Sequence, residues 1–227
     1  MSDERQAILA SIARALRREG PEADAHAELE LRLSQPKPNL IPRRAADLPH
    51  PERVALFATM AREADATLAE LPSAEAAPAA IADYLRRENL PPELRIAPDP
   101  VLEKLPWSAL PLLSVSYGRA TGAEAVSVTS AFAGIAETGT LMLTSGPTMP
   151  TTLNFLPDTN IVLLRAARIV GAYEEAWTLL RQTGAMPRTV NFITGPSRSA
   201  DIEQTLQLGA HGPRRLHILL IHAGPAD

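Results

Sequence analysis

Cysteine is absent from all 227 residues. That excludes disulfides, thiolate nucleophiles, zinc sites of the cysteine type and thiolate-held iron–sulfur clusters within this chain. Aromatic residues make up only 4%, so a core drawn from the 45% apolar residues must be aliphatic and alanine-rich. No apolar run reaches the roughly 18 residues that a membrane-spanning helix needs. Positive charge is not in excess: 22 Lys and Arg face 26 Asp and Glu, for a net charge of −4. A nucleic-acid partner would call for a basic face, so none is expected. The pairs Arg17-Arg18, Arg43-Arg44 and Arg214-Arg215 read as solvated helix or loop ends.

Several site motifs are missing as well. No G-x-G-x-x-G fingerprint supports a dinucleotide, and no Gly-Lys-Ser/Thr marks a phosphate loop. No G-x-S-x-G elbow offers a serine nucleophile. His211 has no histidine at ligand spacing, so no metal site is expected; His26, His50, His217 and His222 form no usable pattern. The N-terminal segment is mixed in charge without a continuous apolar core, which does not read as a signal peptide. A cytoplasmic location is expected.

What is present reads as α/β. Ile8, Ile12 and Leu16 recur at spacing four and predict a first helix over 3–19. Residues 20–51 are rich in Pro, Ala and charge and read as an arm or linker, with a domain boundary at 50. Val54, Phe57, Ala61, Ala64, Leu68 and Leu71 predict one helix of about five turns, closed before Pro72. A second helix is expected over 77–89, and Leu94–Ile96 as the first strand. Further strands are expected near 112–116, 125–129, 140–144, 160–165, 190–194 and 216–221, with a helix over 173–184. The apolar runs at 161–164 and 216–221 suit strands covered on both faces. Strand 160–165, helix 173–184 and strand 190–194 suggest one right-handed crossover unit, and 133–145 an added hairpin.

Two polar, glycine-bearing blocks hold most of the candidate chemistry. In Glu137-Thr138-Gly139-Thr140, the carboxylate is a possible base, nucleophile or hydroxyl binder, and both threonines offer hydrogen bonds. The same residues also suit a tight hairpin that satisfies itself. At the far end of that strand, Ser145 and Gly146 read either as an anion cradle or as a generic turn. The second block runs from Thr194 to Pro213. There Gly195 permits close approach, Ser197 donates, and Arg198 supplies a planar cationic fork for carboxylate or phosphate. Asp201 and Glu203 would orient the arginine, cap a helix or bind a cation. A capped turn with a salt bridge is the alternative. His211, flanked by Gly209 and Gly212, is placed for proton transfer near neutral pH or is an ordinary loop histidine.

Taken in order, Ile135–Thr140, Leu156-Pro157, Ile193–Glu203 and Gly209–Pro213 resemble the LUD-domain family, most closely its lactate-utilisation protein C branch. The likeness is good over 110–222. It departs from the family at Asn160, where a histidine is usual, and at Thr151-Thr152, where a basic residue is usual. The resemblance implies a Rossmann-like fold of the NagB/RpiA/CoA-transferase type behind an N-terminal helical segment. It also implies a part in oxidising L-lactate to pyruvate alongside iron–sulfur partner proteins, which must hold any cluster. Glu137 and His211 are then the candidate catalytic groups. Thr138, Gly139, Thr140, Ser145, Gly146, Gly195, Ser197, Arg198, Asp201, Glu203 and Gly212 would bind a small carboxylate or anionic cofactor. The cofactor itself is unspecified, and a homo-oligomer is possible. The alternatives are a non-catalytic assembly or regulatory subunit, and a CoA-transferase-like or cyclo-ligase-like enzyme acting on a nucleotide, folate or acyl-CoA.

Overall fold

A computed structural model describes residues 2–17, 23–35, 40–202 and 205–222. The chain divides into two compact units, Met1–Leu40 and Ile41–Asp227. The first holds α1 (Ser2–Leu16) and α2 (Ala23–Ser34), with Ile8, Ile12 and Leu16 of α1 exposed. Residues 20–51, read from the sequence as an arm or linker, contain α2 and, in the second unit, α3 (Arg43–Ala46). The Pro-rich residues 36–39 lie outside the described residues.

In the second unit, α4 (His50–Glu63) carries proline in its first turn, where a missing N–H costs nothing. The expected five-turn helix is shorter, because Asp65 turns into the left-handed region at φ 63°. The chain then enters β1 (Thr67–Leu71), so Leu68 and Leu71 belong to a strand. After α5 (Ala77–Arg87) come β2 (Glu93–Ile96), α6 (Pro100–Glu103), β3 (Ser114–Tyr117) and β4 (Val126–Ser130). Trp107 packs in this segment and donates from Nε1 to the Leu102 carbonyl at 2.8 Å. The hairpin β5 (Ala133–Ile135) and β6 (Thr140–Thr144) follows, then β7 (Thr159–Arg165), β8 (Ile169–Val170) and α7 (Tyr173–Gln182). The chain ends through β9 (Val190–Ile193), β10 (Arg198–Ile202), β11 (Thr205–Leu208) and β12 (Arg215–Ile221).

Six strands form a wholly parallel sheet in the order β1-β12-β7-β4-β2-β3. The long apolar runs of β7 and β12 form neighbouring interior strands, buried on both faces. Ile161, Leu163, Leu219 and Ile221 point one way, toward Ile81, Tyr84 and Leu85 of α5. Val162, Leu164, Ile218 and Leu220 point the other, toward Phe57 and Ala61 of α4 and Leu141 and Leu143 of β6. A second sheet, β8-β5-β6-β9, therefore stacks on the first beside α4. Its outer face, with Ile135 and Met142, packs on Ala176 and Leu180 of α7. This placement corrects the expected crossover: β7 lies in the large sheet, whereas β9 pairs antiparallel with β6 in the small one.

Candidate functional site

The two polar blocks meet at the C-terminal half of α4. Gly139 closes the β5–β6 turn at φ 65°, and a Cβ there would lie 2.3 Å from the Ala61 nitrogen. Gly195 adopts φ 70°, and a Cβ there would lie 2.0 Å from the Ala64 carbonyl oxygen. Both glycines thus let a turn seat directly on helix backbone, which no side chain would permit.

Between them lies a cluster of hydroxyls. Thr140, fully buried, has its Oγ1 2.7 Å from that of Thr138 and 2.6 Å from that of Thr194. The Tyr173 hydroxyl at the start of α7 lies 2.9 Å from Thr140 Oγ1 and 3.2 Å from Thr138 Oγ1. Each hydroxyl has one hydrogen to give, so four hydroxyls match these four contacts. Donation in a ring through Thr138, Thr140 and Tyr173, with Thr194 donating to Thr140, satisfies them all. All four hydrogens are thereby used within the cluster, so an arriving acceptor would have to displace one of these hydrogen bonds. Thr194 and Tyr173 were missing from the sequence candidates: Tyr173 reads only as the first residue of a helix.

Glu137, which precedes Thr138 in the chain, is half-buried, its N–H donating to the Gly171 carbonyl at 3.2 Å. Burial raises its pKa above 4.5, and Glu174 and Glu175 push the same way against the nearby Arg44. Glu175 is itself held by Arg53 at 2.6 Å. Glu124 shows the opposite arrangement: the N–H of Thr121 and further hydrogen bonds, including one from Arg95, hold its carboxyl down at about 2. Glu124 is thus stabilised as a structural anion. Glu137 is a carboxylate whose charge the fold disfavours, which is the arrangement that proton-handling groups share.

The remaining candidates fall in three places. Arg198 pairs with Asp65, the residue that ends α4, and its Nη2 donates to the Ala64 carbonyl at 3.4 Å. Ser197 binds the last block: its N–H donates to the Pro213 carbonyl, and its Oγ accepts from the His211 N–H at 3.3 Å. Gly212 lies against Ser197 and Phe155, and the His211 side chain is exposed. Asp201 belongs to β10 by its backbone, and Glu203 lies outside the described residues. Ser145 and Gly146 stand at the other end of β6 from Thr140, roughly 17 Å along the strand. There the Ser145 Oγ accepts from the Thr189 N–H at 2.8 Å.

Residues 54–221 match the LUD domain. A protein of Neisseria meningitidis, the uncharacterized protein NMB1437, is 46% identical over 99 residues, covering 41% of this chain and 42% of that protein. Lactate utilization protein C of Anoxybacillus flavithermus is 39% identical over 87 residues, 38% of this chain and 39% of its own. Its Bacillus subtilis counterpart is 37% identical over 91 residues, 38% of each chain. These alignments span less than half the length of the curated relatives. The crystal structure of a DUF162 family protein from Deinococcus radiodurans superposes with a TM-score of 0.58 at 24% identity. The superposition covers 77% of this chain and 99% of that one, a likeness of fold.

Proposed function

The chain belongs to the LUD domain family, and we propose that it is a component of a system that oxidises L-lactate to pyruvate. Its relatives named lactate utilization protein C support this reading. The oxidation breaks the C–H and O–H bonds at the hydroxyl-bearing carbon and releases two electrons and two protons. A chain without cysteine holds no thiolate-ligated cluster, so any iron–sulfur centre that takes the electrons belongs to a partner protein. This chain contributes an anion-binding fold and a group that takes up a proton.

Glu137 is that group. The observation that carries the assignment is its setting: a half-buried carboxylate with a raised pKa, between Glu174, Glu175 and Arg44, in the turn that also carries the hydroxyls of Thr138 and Thr140. The exposed His211 is the alternative proton carrier. An assembly role is the second reading, favoured by the use of Gly139, Gly195 and Arg198 in internal packing and pairing. The reconstituted partner proteins, assayed for lactate-dependent dye reduction with and without this chain, test the proposal. Activity that requires the chain supports it; the same activity without the chain contradicts it.

A further inference from the structure

A crevice of about 230 Å³ opens at the carboxyl ends of the large sheet's strands. It is lined by Ser130 at the end of β4, Arg165 at the end of β7 and Ile221 at the end of β12. Val101, Phe132 and Arg168 also form part of the wall. Open parallel sheets hold ligands at this edge, because the loops that leave it diverge. None of these residues belongs to the two glycine-bearing blocks. Phe132 and Glu137 lie beyond opposite ends of the short strand β5, five residues apart in the chain. The crevice is therefore separate from the Glu137 cluster.

The lining dictates a chemistry. Arg165 and Arg168 bring two permanent positive charges to a wall that is otherwise largely apolar. Arg168 is half-buried, with its guanidinium 5.5 Å from the centroid of the Phe132 ring. Among the described residues no carboxylate forms an ion pair with it. Stacking on an aromatic face leaves the edge of a guanidinium, where its N–H groups point, open to an anion.

Ser130 adds a second criterion. Its hydroxyl donates to Asp99 Oδ2, while Asp99 Oδ1 accepts from the Val101 N–H at 3.0 Å. A serine has one hydrogen to donate, so Ser130 presents only lone pairs to the crevice. It accepts a hydrogen bond and repels a carbonyl. We propose that this crevice is a second binding site, apart from Glu137 and without proton transfer to it, for a small 2-hydroxy carboxylic acid. The carboxylate pairs with Arg168, the hydroxyl donates to Ser130, and a short alkyl body lies against Val101, Phe132 and Ile221.

The choice of L-lactate as a probe rests on the proposed function; the chemistry of the site does not. Calorimetric titration of the full chain, without partner proteins, with L-lactate, 2-hydroxybutyrate, their 2-keto counterparts and inorganic phosphate tests the proposal. At least one hydroxy acid should bind saturably and at least fivefold more tightly than its keto counterpart. Arg168→Gln should weaken that binding at least tenfold and Arg168→Lys less, with Arg86→Gln on the exposed surface as the charge control. Ser130→Ala should erase the preference for the hydroxy acid. Circular dichroism and an unchanged melting temperature certify that each variant is folded; should Arg168→Gln not fold, the Ser130→Ala comparison decides. Binding of neither hydroxy acid, of phosphate alone, or of a hydroxy acid equally well by the folded variants overturns the proposal. Because no partner protein is present, a negative titration leaves the dye-reduction test of the lactate reading untouched.

Discussion

Acidifying the protein from pH 7 to pH 4 should cost it a specific and calculable amount of stability through His217. This histidine is 2% exposed on β12, stacked on Tyr84 with ring centroids 3.9 Å apart. Its Nδ1 lies 2.8 Å from the Thr67 hydroxyl. Burial, reinforced by the nearby Arg87, lowers its pKa from 6.5 to about 4. Between those values the unfolded chain takes up a proton that the folded chain refuses. Stability therefore falls as the pH drops from about 6.5 to about 4 and levels off below. At about 1.4 kcal/mol per pH unit the loss reaches roughly 3 kcal/mol. Carboxylates titrate in the same range, so the contribution is isolated by difference. Urea unfolding of wild type and His217→Phe, which keeps the stack on Tyr84, should be compared at pH 7, 5.5 and 4. Thr67 is exposed and bonds to water in the variant. The variant should gain on wild type by roughly 3 kcal/mol over that interval. A difference that stays constant with pH, or an imidazole titration midpoint near 6.5 in the folded protein, would refute the reasoning.

Other consequences follow from the same physics. Gly139→Ala and Gly195→Ala combine positive φ with contact on helix backbone, so each should destabilise by roughly 2–5 kcal/mol. Gly146→Ala, with nothing within 4 Å, should stay within about 0.5 kcal/mol in the same urea titrations. Glu137→Gln should match or exceed wild-type stability at pH 7, because the fold disfavours the charge, and the gain should vanish below pH 4.5. Glu124→Gln should do the reverse: its cost is full above pH 4.5 and fades as the pH falls toward 2. Tyr173→Phe removes one hydroxyl from the ring around Thr140 and should cost roughly 1 kcal/mol by thermal unfolding.

The sequence makes the sheet legible wherever strands are buried on both faces. The apolar runs at 161–164 and 216–221 suit strands of this kind, and both lie inside the sheet rather than at its edges. It misleads where one periodicity continues another. Leu68 and Leu71 prolong the spacing of α4, yet Asp65 breaks the helix and β1 pairs with β12. An aspartate in the left-handed region leaves no signature that distinguishes it from a helical one. Pairing partners are equally invisible: strand, helix, strand over 160–194 looks like a crossover, but β9 joins β6. The Glu137 block stands out by composition, and so does the Thr194 block. Their meeting through Thr140 and Thr194, and the seating of both glycines on α4, depend on contacts distant in sequence. Ser130, Arg165 and Arg168 carry no motif at all; only the sheet order brings strand ends from separate parts of the chain to one edge.

The account turns on Glu137 acting as a proton carrier in lactate oxidation. The most direct test is lactate-dependent dye reduction by the reconstituted system containing Glu137→Gln, with the variant verified as folded and as stable as wild type. The account predicts a loss of turnover of about 10²-fold or more, the range typical of a removed general base. Turnover equal to that with the wild-type chain would contradict it.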